Sequence, residues 1–248
     1  MSNWSLGQIL KRCLRTFGFT VRRNLYTPTE TLAGLASAHI CTVLDCGANE
    51  GQFAKYIAQF FPDALIYCIE PIPEAYKALE NWARIQGKNI VCLNYALGDF
   101  EGDAVMHHHT EHSVSSSMLS TTEHEEHLFP QTKSQVEVTV SVRTLDSIFA
   151  SEMLQLKKKI FLKLDVQGFE DRVLRGASQL LEHVFACVLE VSVEKMYSGQ
   201  ADFRDLVQVM YERGFRYAGN LDQAYGNDGR VMYLDALFIR GDEEHANA

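Results

Sequence analysis

The chain has 248 residues, of which 46% are hydrophobic and 22% are charged, the balance of an ordinary soluble globular protein. Its net charge of −9 argues against a nucleic-acid-binding surface over the whole molecule, so no nucleic-acid partner is predicted. No run approaches the ~20 apolar residues of a membrane span, and the first residues lack a secretory pattern, which predicts a cytoplasmic protein. The six cysteines include no C-x-x-C pair, so we expect free thiols instead of disulfides or a zinc site.

Residues 1–40 are predicted to form an N-terminal extension that contains a basic amphipathic helix. Apolar residues recur at near-helical spacing from Trp4 to Phe17, and five Lys or Arg residues occur up to Arg23 without an acid. We expect this helix to pack on the main domain or on a second subunit, as in a homodimer. Docking at a membrane surface is the alternative that the pattern leaves open.

Strand and helix patterns alternate from residue 41 onwards, and residues 241–248 are predicted to be a disordered tail. Apolar runs predict strands at 41–45, 65–69, 90–93, 160–164 and 186–191, and helical spacing predicts helices at 52–61, 73–86, 145–156, 169–181 and 203–213. This alternation is typical of an α/β sandwich with a mostly parallel sheet. Two closing strands at 215–218 and 231–239, joined by the Gly/Asn/Asp-rich residues 219–229, predict an antiparallel hairpin at the sheet edge.

Residues 100–135 interrupt the alternation and are predicted to form a polar lid insertion over the substrate. They contain six of the nine histidines, a serine run and few apolar residues. A long polar connection inside a compact domain is usually functional or mobile. A dedicated metal site is not favoured there, because the consecutive histidines 107–109 cannot all face one ion if they lie on a strand.

The turn after the first predicted strand carries the strongest local signal for a ligand. Gly47 and Gly51 let the backbone turn tightly and approach a ligand closely, and a helical pattern follows. Glu70 ends the next strand, 19 positions after Gly51 (70 − 51), where Rossmann-like folds bind a ribose diol. The glycines are spaced G-x-x-x-G with Asp45 and Glu50 beside them, and these acids would repel a pyrophosphate. They suit S-adenosylmethionine, which is cationic and has no phosphate.

Acidic residues also follow later predicted strands, whose carboxyl ends should share one edge of the sheet. Asp165, after the strand at 160–164, is the candidate for orienting or deprotonating a hydroxyl, unless it only caps the helix that begins near Gly168. Lys163 alternates to the same face and could hold the charge of Asp165. Glu190 is either a second acid or a simple strand-end carboxylate.

Histidines of the predicted lid supply an alternative general base. His109 and His112 qualify because a free imidazole has a pKa near ~6.5. The neighbouring serine run is expected to give the lid its polar contact with substrate.

Six motifs resemble, in order, those of the FkbM family of S-adenosylmethionine-dependent methyltransferases. They are DCGANEG at residues 45–51, EPIP at 70–73, ALGD at 96–99, TLD at 144–146, KLDVQGFE at 163–170 and VLRGA at 173–177. The resemblance spans roughly residues 41–240, and the block at 163–170 is its most specific part. Two departures are visible, because Gln167 stands where the family usually has Glu and Cys46 where a small aliphatic residue is common.

The resemblance implies a class I methyltransferase fold, a Rossmann-like sandwich with a seven-stranded, mostly parallel sheet whose last strand is antiparallel. It also implies O-methylation of a hydroxyl on a sugar, a glycolipid or a natural product. The residues predicted to bind S-adenosylmethionine are Asp45, Gly47, Ala48, Asn49, Gly51, Gln52, Phe53, Glu70, Pro71, Ala96, Leu97, Ser117 and Asp165. The residues predicted to be catalytic are Asp165, Lys163, His109 and His112.

Two other functions stay open at this point. One is a nicotinamide-dependent oxidoreductase, which the acids around the glycine turn disfavour. The other is a non-catalytic methyltransferase-like domain that docks a partner through the basic helix. For the favoured methyltransferase, the acceptor is predicted to be a small-molecule or glycan hydroxyl, selected by residues within 100–135 and 219–229.

Overall fold

A computed structural model describes residues 35, 38–87, 89–151 and 159–241. The predicted basic helix near the N-terminus and the predicted tail at 242–248 lie outside these residues, and so does the end of the helix predicted at 145–156. Among the helices that are described, none has the length and apolarity needed to span a membrane.

The described chain alternates strands and helices as the sequence pattern predicts. The strands are β1 (Thr42–Cys46), β2 (Leu65–Ile69), β3 (Ile90–Leu93), β4 (Ala96–Leu97), β5 (Gly102–His109), β6 (Gln135–Arg143), β7 (Ile160–Leu164), β8 (Val184–Ser192), β9 (Phe215–Tyr225) and β10 (Val231–Arg240). The α-helices are α1 (Gln52–Ile57), α2 (Pro73–Gln86), α3 (Glu123–Leu128), α4 (Leu145–Ala150), α5 (Glu170–Arg175) and α6 (Phe203–Glu212). Short 3-10 helices are η1 (Ser113–Ser115), η2 (Pro130–Lys133) and η3 (Leu180–His183).

Seven strands form the main sheet, in the order β3-β2-β1-β7-β8-β10-β9. Neighbours from β3 to β8 pair in parallel, whereas β10 pairs antiparallel with both β8 and β9. This is the class I methyltransferase arrangement with an antiparallel last strand, so the predicted fold class is confirmed. The strand order reverses between β1 and β7, the place where ligands bind in open α/β sheets.

The sheet is buried on both faces because helices cover each side, which explains why its central strands read as continuous apolar runs. All five residues of β1 are buried. Val43 packs with Phe161 in one apolar cluster, and Leu44 packs with Leu162 in the cluster on the opposite face. Alternation along each strand therefore supplies side chains to two cores at once.

The first third of the segment predicted as a polar lid at 100–135 contains a regular strand. β5 pairs antiparallel with β6 over its whole length and, with β4, forms a second, three-stranded sheet. Met106 of β5 packs with Val140 and Val142 of β6 in a small third core. The 3-10 helices η1 and η2 and the helix α3 make up the rest of the insertion.

The predicted closing hairpin is present, but its position and length differ from the prediction. β10 lies inside the sheet between β8 and β9, so only β9 is at the edge. β9 also continues through Gly219 to Tyr225, with register shifts against β10 at three places. Irregular pairing tolerates the Gly and Asn residues that made this stretch look like a turn.

Candidate active site

The turn after β1 is built from residues in the left-handed backbone region. Gly47 has φ 78°, Asn49 has φ 46° and Gly51, which precedes α1, has φ 84°. A Cβ at Gly47 would lie 1.8 Å from the carbonyl oxygen of Asp165, so no other residue fits between the ends of β1 and β7. The amides of Gly47 and Ala48 donate to the carbonyl of Ile69, which ties the turn to β2.

Glu70, at the end of β2, is a buried carboxylate that the turn wraps around. Its Oε2 accepts a hydrogen bond from the amide of Asn49 and its Oε1 from the amide of Ile72, both at 2.8 Å. Burial raises the pKa of Glu70 to about 7, although the two amides act in the opposite direction. The carboxylate is thus fixed in position and still lines a cavity.

A cavity of about 340 Å³, called the first cavity below, opens over the carboxyl ends of β1, β2 and β7. Its volume lies within the range of small-molecule and cofactor sites. Residues predicted to bind S-adenosylmethionine that line it are Gly47, Ala48, Asn49, Gln52, Phe53, Glu70, Pro71, Ala96, Leu97 and Asp165. Lys163, Gln167 and Asp235 also line it, with apolar side chains that include Tyr95, Met106 and Phe169.

Lys163 lies between two carboxylates beneath this cavity. Its Nζ is 2.8 Å from Oδ2 of Asp165 and 3.8 Å from Oδ1 of Asp45, and it sits 5.3 Å from the centre of the Phe53 ring. Burial lowers the pKa of Lys163, but the two carboxylates outweigh it and raise the pKa overall. Burial raises the pKa of Asp45 to about 6 against the opposing effect of Lys163. The predicted pairing of Lys163 with Asp165 is present.

Three residues predicted to bind the cofactor do not line the first cavity. Asp45 is fully buried below it and faces Lys163. Gly51 packs against α2, where an added Cβ would lie 2.9 Å from Cδ1 of Leu79. Ser117 donates its hydroxyl to the carbonyl of Gln167 at 2.6 Å, so it supports the turn after β7.

The turn after β7 holds Asp165 without using it as a helix cap. α5 begins at Glu170, and Oε1 of that side chain accepts hydrogen bonds from the amides of Val166 and Gly168. Burial raises the pKa of Glu170 to about 7. Because Glu170 accepts the hydrogen bonds of these two amides, the carboxylate of Asp165 is not needed for them and faces the cavity. The alternative interpretation of Asp165 as a helix cap is therefore wrong.

Gln167 is the centre of a hydrogen-bonded cluster at the site. Its Nε2 donates to Oδ1 of Asp165 at 2.7 Å and to Oε1 of Glu190 at 2.9 Å. Its Oε1 accepts from the hydroxyl of Tyr197 at 2.5 Å, and the same hydroxyl lies 3.2 Å from the carbonyl oxygen of Ser115. Burial raises the pKa of Tyr197 well above its ordinary value, so the phenol stays a donor and the amide orientation is fixed.

A second cavity of about 270 Å³ adjoins the first. It is lined by His112, Val114, Ser115, Glu125, Phe129, Asp165, Gln167, Glu190, Ser192, Met196, Tyr197 and Tyr233. Val114, Asp165 and Gln167 line both cavities. Asp165 is the single ionisable residue, within the described chain, that both cavities share.

Glu190 lies within the site, where its Oε1 accepts a hydrogen bond from Gln167. Burial, with the nearby carboxylates of Asp165 and Asp235, raises the pKa of Glu190 well above its ordinary value. It lines the second cavity but not the first.

The two histidines predicted as alternative bases lie in different environments. His112 lines the second cavity, with Nδ1 2.8 Å from Oγ of Ser115, and burial lowers its pKa. His109 lines neither cavity, and its side chain is fully buried. His109 is therefore disfavoured as a base. Within the described residues, no group of three or more His, Cys, Asp or Glu side chains could hold a metal ion.

The segment η1 connects the two cavities. Nδ2 of Asn49, in the turn after β1, donates to Oγ of Ser113 at 3.0 Å. At the other end of η1, the carbonyl of Ser115 faces the Tyr197 hydroxyl of the second cavity.

Several site residues are not predictable from local sequence. Glu125 looks like one of several glutamates on a polar helix, and Tyr197 lies in a segment without regular periodicity. Asp235 is a half-buried acid inside an otherwise apolar strand, and an acid in such a run is a signal that the sequence does carry. Glu170 belongs to the motif at 163–170, but the local sequence indicates no role for it.

The chain is similar in sequence to known methyltransferases. Residues 45–217 match the family model described as "Methyltransferase FkbM domain". The 2-O-methyltransferase NoeI of Sinorhizobium fredii is 25% identical over 214 residues, which cover 81% of this chain and 84% of that protein. Methyltransferase 1 of Beauveria bassiana is 22% identical over 185 residues, covering 71% of this chain and 72% of that protein.

Among solved structures, the methyltransferase FkbM of Methylobacillus flagellatus is 16% identical, with a TM-score of 0.49 over 81% of this chain. The present chain spans 44% of the length of that protein.

Proposed function

Because the chain belongs to the FkbM family of S-adenosylmethionine-dependent methyltransferases, we propose that it transfers a methyl group to a hydroxyl of a sugar, a glycolipid or a natural product. The observation that carries this proposal is the position of Asp165 on the wall shared by two adjoining cavities. One cavity is then the site of the methyl donor and the other the site of the acceptor. The similarity to a relative described as a 2-O-methyltransferase supports oxygen as the methylated atom.

The residues of the first cavity fit S-adenosylmethionine, which supplies an electrophilic methyl group and leaves as S-adenosylhomocysteine. Gly47 lines the cavity, and because it has no Cβ the end of β7 can approach closely enough to bring Asp165 to the same wall. Glu70 is positioned to accept hydrogen bonds from ribose hydroxyls. Three carboxylates, those of Glu70, Asp165 and Asp235, line the cavity, which favours a cation.

A nicotinamide dinucleotide fits this cavity poorly. Its two phosphates would face the same carboxylates, and Lys163, the one Lys or Arg lining the cavity within the described chain, is already paired with Asp165 and Asp45. A purely non-catalytic domain is also disfavoured, because such a domain has no need for a shared acid between two cavities.

Asp165 acts on the acceptor hydroxyl in this proposal. Methylation requires the hydroxyl oxygen to form the new C–O bond as it loses its proton. Lys163 and Gln167 each hold one oxygen of Asp165, so the carboxylate is fixed at the junction, where it can accept that proton. Glu190, which lines only the second cavity, is the next candidate for the base.

The proposal is tested first by calorimetric titration of the purified protein with S-adenosylhomocysteine and with NADH. We expect S-adenosylhomocysteine to bind with a Kd in the micromolar range and NADH not to bind. Tritiated methyl transfer to extracts of the source organism, fractionated by polarity, then identifies the acceptor. Label in ester- or amine-methylated products alone, with none in methyl ethers, would refute O-methylation.

A further inference from the structure

The carboxylate of Glu125 has no partner among the residues that the structure describes. Glu125 is 3% exposed and lies in the first turn of α3, where its neighbours Glu123 and Glu126 are more exposed. Neither a hydrogen bond nor an ion pair reaches its carboxylate from the described residues. Burial raises its pKa to about 7. Burying a charged group without a partner costs free energy of folding. Such a group is usually retained at a functional site, where a bound ligand pairs with it.

Glu125 lines the second cavity and not the first. It therefore faces whatever molecule occupies the second cavity and cannot contact a ligand confined to the first. Asp165 and Glu190 line the same cavity, so three carboxylates meet there.

No Lys or Arg from the described chain lines the second cavity. The ammonium of Lys163 lines the first cavity and is already shared by Asp45 and Asp165. His112 cannot neutralise the cavity at neutral pH, because burial lowers its pKa. At pH 8, above the pKa of Glu125, the described lining of this cavity therefore carries negative charge and no cation.

The remaining lining suits a ligand with a carbon skeleton and polar substituents. The rings of Phe129, Tyr197 and Tyr233 give apolar faces, and faces of this kind also attract a cation through their quadrupole.

We propose that the acceptor carries a protonated amine in addition to the hydroxyl that is methylated, and that Glu125 binds this amine. The inference rests on the proposed function, since it takes the second cavity as the acceptor site. A neutral polyol could donate hydrogen bonds to Glu125 but would leave the charge of the cavity uncompensated. An anionic acceptor, such as a sugar phosphate or a uronic acid, would be repelled.

The test compares the affinities of matched ligands for the protein saturated with S-adenosylhomocysteine, measured by ligand-observed NMR at pH 8. The panel pairs trans-2-aminocyclohexanol with trans-1,2-cyclohexanediol, and 6-amino-6-deoxyglucose, whose primary amine is protonated at both pH 8 and pH 6, with glucose, its own N-acetyl derivative and glucuronic acid. We expect the amines to bind about tenfold more tightly than their neutral counterparts, and glucuronic acid not to bind. Amines that bind no better than the diol, glucose and the acetamide across the panel would overturn the proposal in favour of a neutral polyol.

Two variants assign the effect to one side chain. Glu125→Gln should remove the preference for the amine, whereas Glu123→Gln, which makes the same change on an exposed position of the same helix, should preserve it. An unchanged preference in Glu125→Gln refutes the role of Glu125. Retained binding of S-adenosylhomocysteine reports that each variant is folded.

The wild-type protein provides a check that needs no variant. Protonation of Glu125 between pH 8 and pH 6 should reduce the affinity of the amines several-fold, while the affinity of the neutral ligands changes little. A preference for amines that is the same at both pH values contradicts the proposal. Failure of S-adenosylhomocysteine to bind would overturn the proposed function together with this inference, whereas donor binding without amine preference overturns the inference alone.

Discussion

The ammonium of Lys163 lies 2.8 Å from Oδ2 of Asp165 and 3.8 Å from Oδ1 of Asp45, so one buried cation serves two carboxylates on neighbouring strands. Asp45 depends on this arrangement, because its oxygens accept no hydrogen bond within the described residues. Lys163 therefore joins the end of β1 to the end of β7 at the point where the donor is proposed to bind.

Replacing Lys163 with Met should destabilise the protein by about 3–5 kcal/mol at pH 8, the usual cost of breaking a buried ion pair. The loss should be smaller at pH 5, because Asp45 has a pKa of about 6 even with Lys163 present and would then be protonated. Urea denaturation at the two pH values measures the difference. Lys77→Met, at an exposed position, is the control and should have little effect at either pH.

Asp165→Asn should reduce methyl transfer by ~10² or more, the size of a lost general base, because an amide cannot accept the hydroxyl proton. The affinity for S-adenosylhomocysteine should stay within a few-fold of wild type. Initial rates of tritium transfer to a fixed extract fraction, with calorimetry for the donor, check both parts. Asp63→Asn, which removes the same charge at an exposed site, should behave as wild type. A small change in rate for Asp165→Asn would move the role of base to Glu190 or His112.

Gly47→Ala should abolish donor binding and lower stability, because the new Cβ would lie 1.8 Å from the carbonyl oxygen of Asp165. Gly229→Ala is the control that separates this clash from backbone strain. Gly229 has a similar φ of 81°, but no heavy atom lies within 4 Å of an added Cβ there. The control should cost only ~1–2 kcal/mol for the left-handed conformation. Thermal unfolding with and without S-adenosylhomocysteine measures both. Equal losses in the two variants would show that the close approach at Gly47 is unimportant.

Gln167→Glu should lower methyl transfer at least tenfold at pH 8 (~1.4 kcal/mol in the barrier). The new carboxylate would face Asp165 and Glu190 without the two hydrogen bonds that the amide donates. The loss should be smaller at pH 6, where one of the acids can be protonated and act as donor. Gln208→Glu places the same change beside Glu212 on the exposed face of α6 and should leave the rate unchanged. A pH-independent loss in Gln167→Glu would instead indicate a steric effect.

The ligand-free protein should lose stability as the pH rises from about 4.5 to about 7. Glu170 has a pKa near 7 in the folded state, raised by burial, against an ordinary value of 4.5, so the folded state binds more protons in this interval. The free energy of unfolding falls as these protons are released, and the contribution of Glu170 levels off above pH 7. Glu170→Gln should flatten the dependence measured by urea denaturation, whereas exposed Glu74→Gln should not.

The main sheet was predictable because its central strands are buried on both faces and its helices carry periodic apolar positions. β7 and α2 have the predicted ends, since an apolar run and a Pro at the first helical turn fix them locally. The acids at the strand ends were also predictable, because parallel strands bring their carboxyl ends to one edge. These features depend only on neighbours in sequence.

The acceptor side of the site depends on contacts between distant segments and was not predictable. Tyr197 meets Gln167 across 30 positions, and Ser117 meets Gln167 across 50. The burial of Glu125 depends on how α3 packs, which the polar sequence of the helix conceals. The continuation of β9 past Gly219 was missed for a similar reason, because pairing with β10 overrides the turn-like composition.

The short helix η1 ties the Asn49 side chain to the Tyr197 hydroxyl through Ser113 and Ser115, and this has a kinetic consequence. A ligand that orders the turn after β1 also orders one wall of the second cavity, so the two ligands should strengthen each other's binding by the same factor. The KM measured for either ligand is then expected to fall as the other approaches saturation.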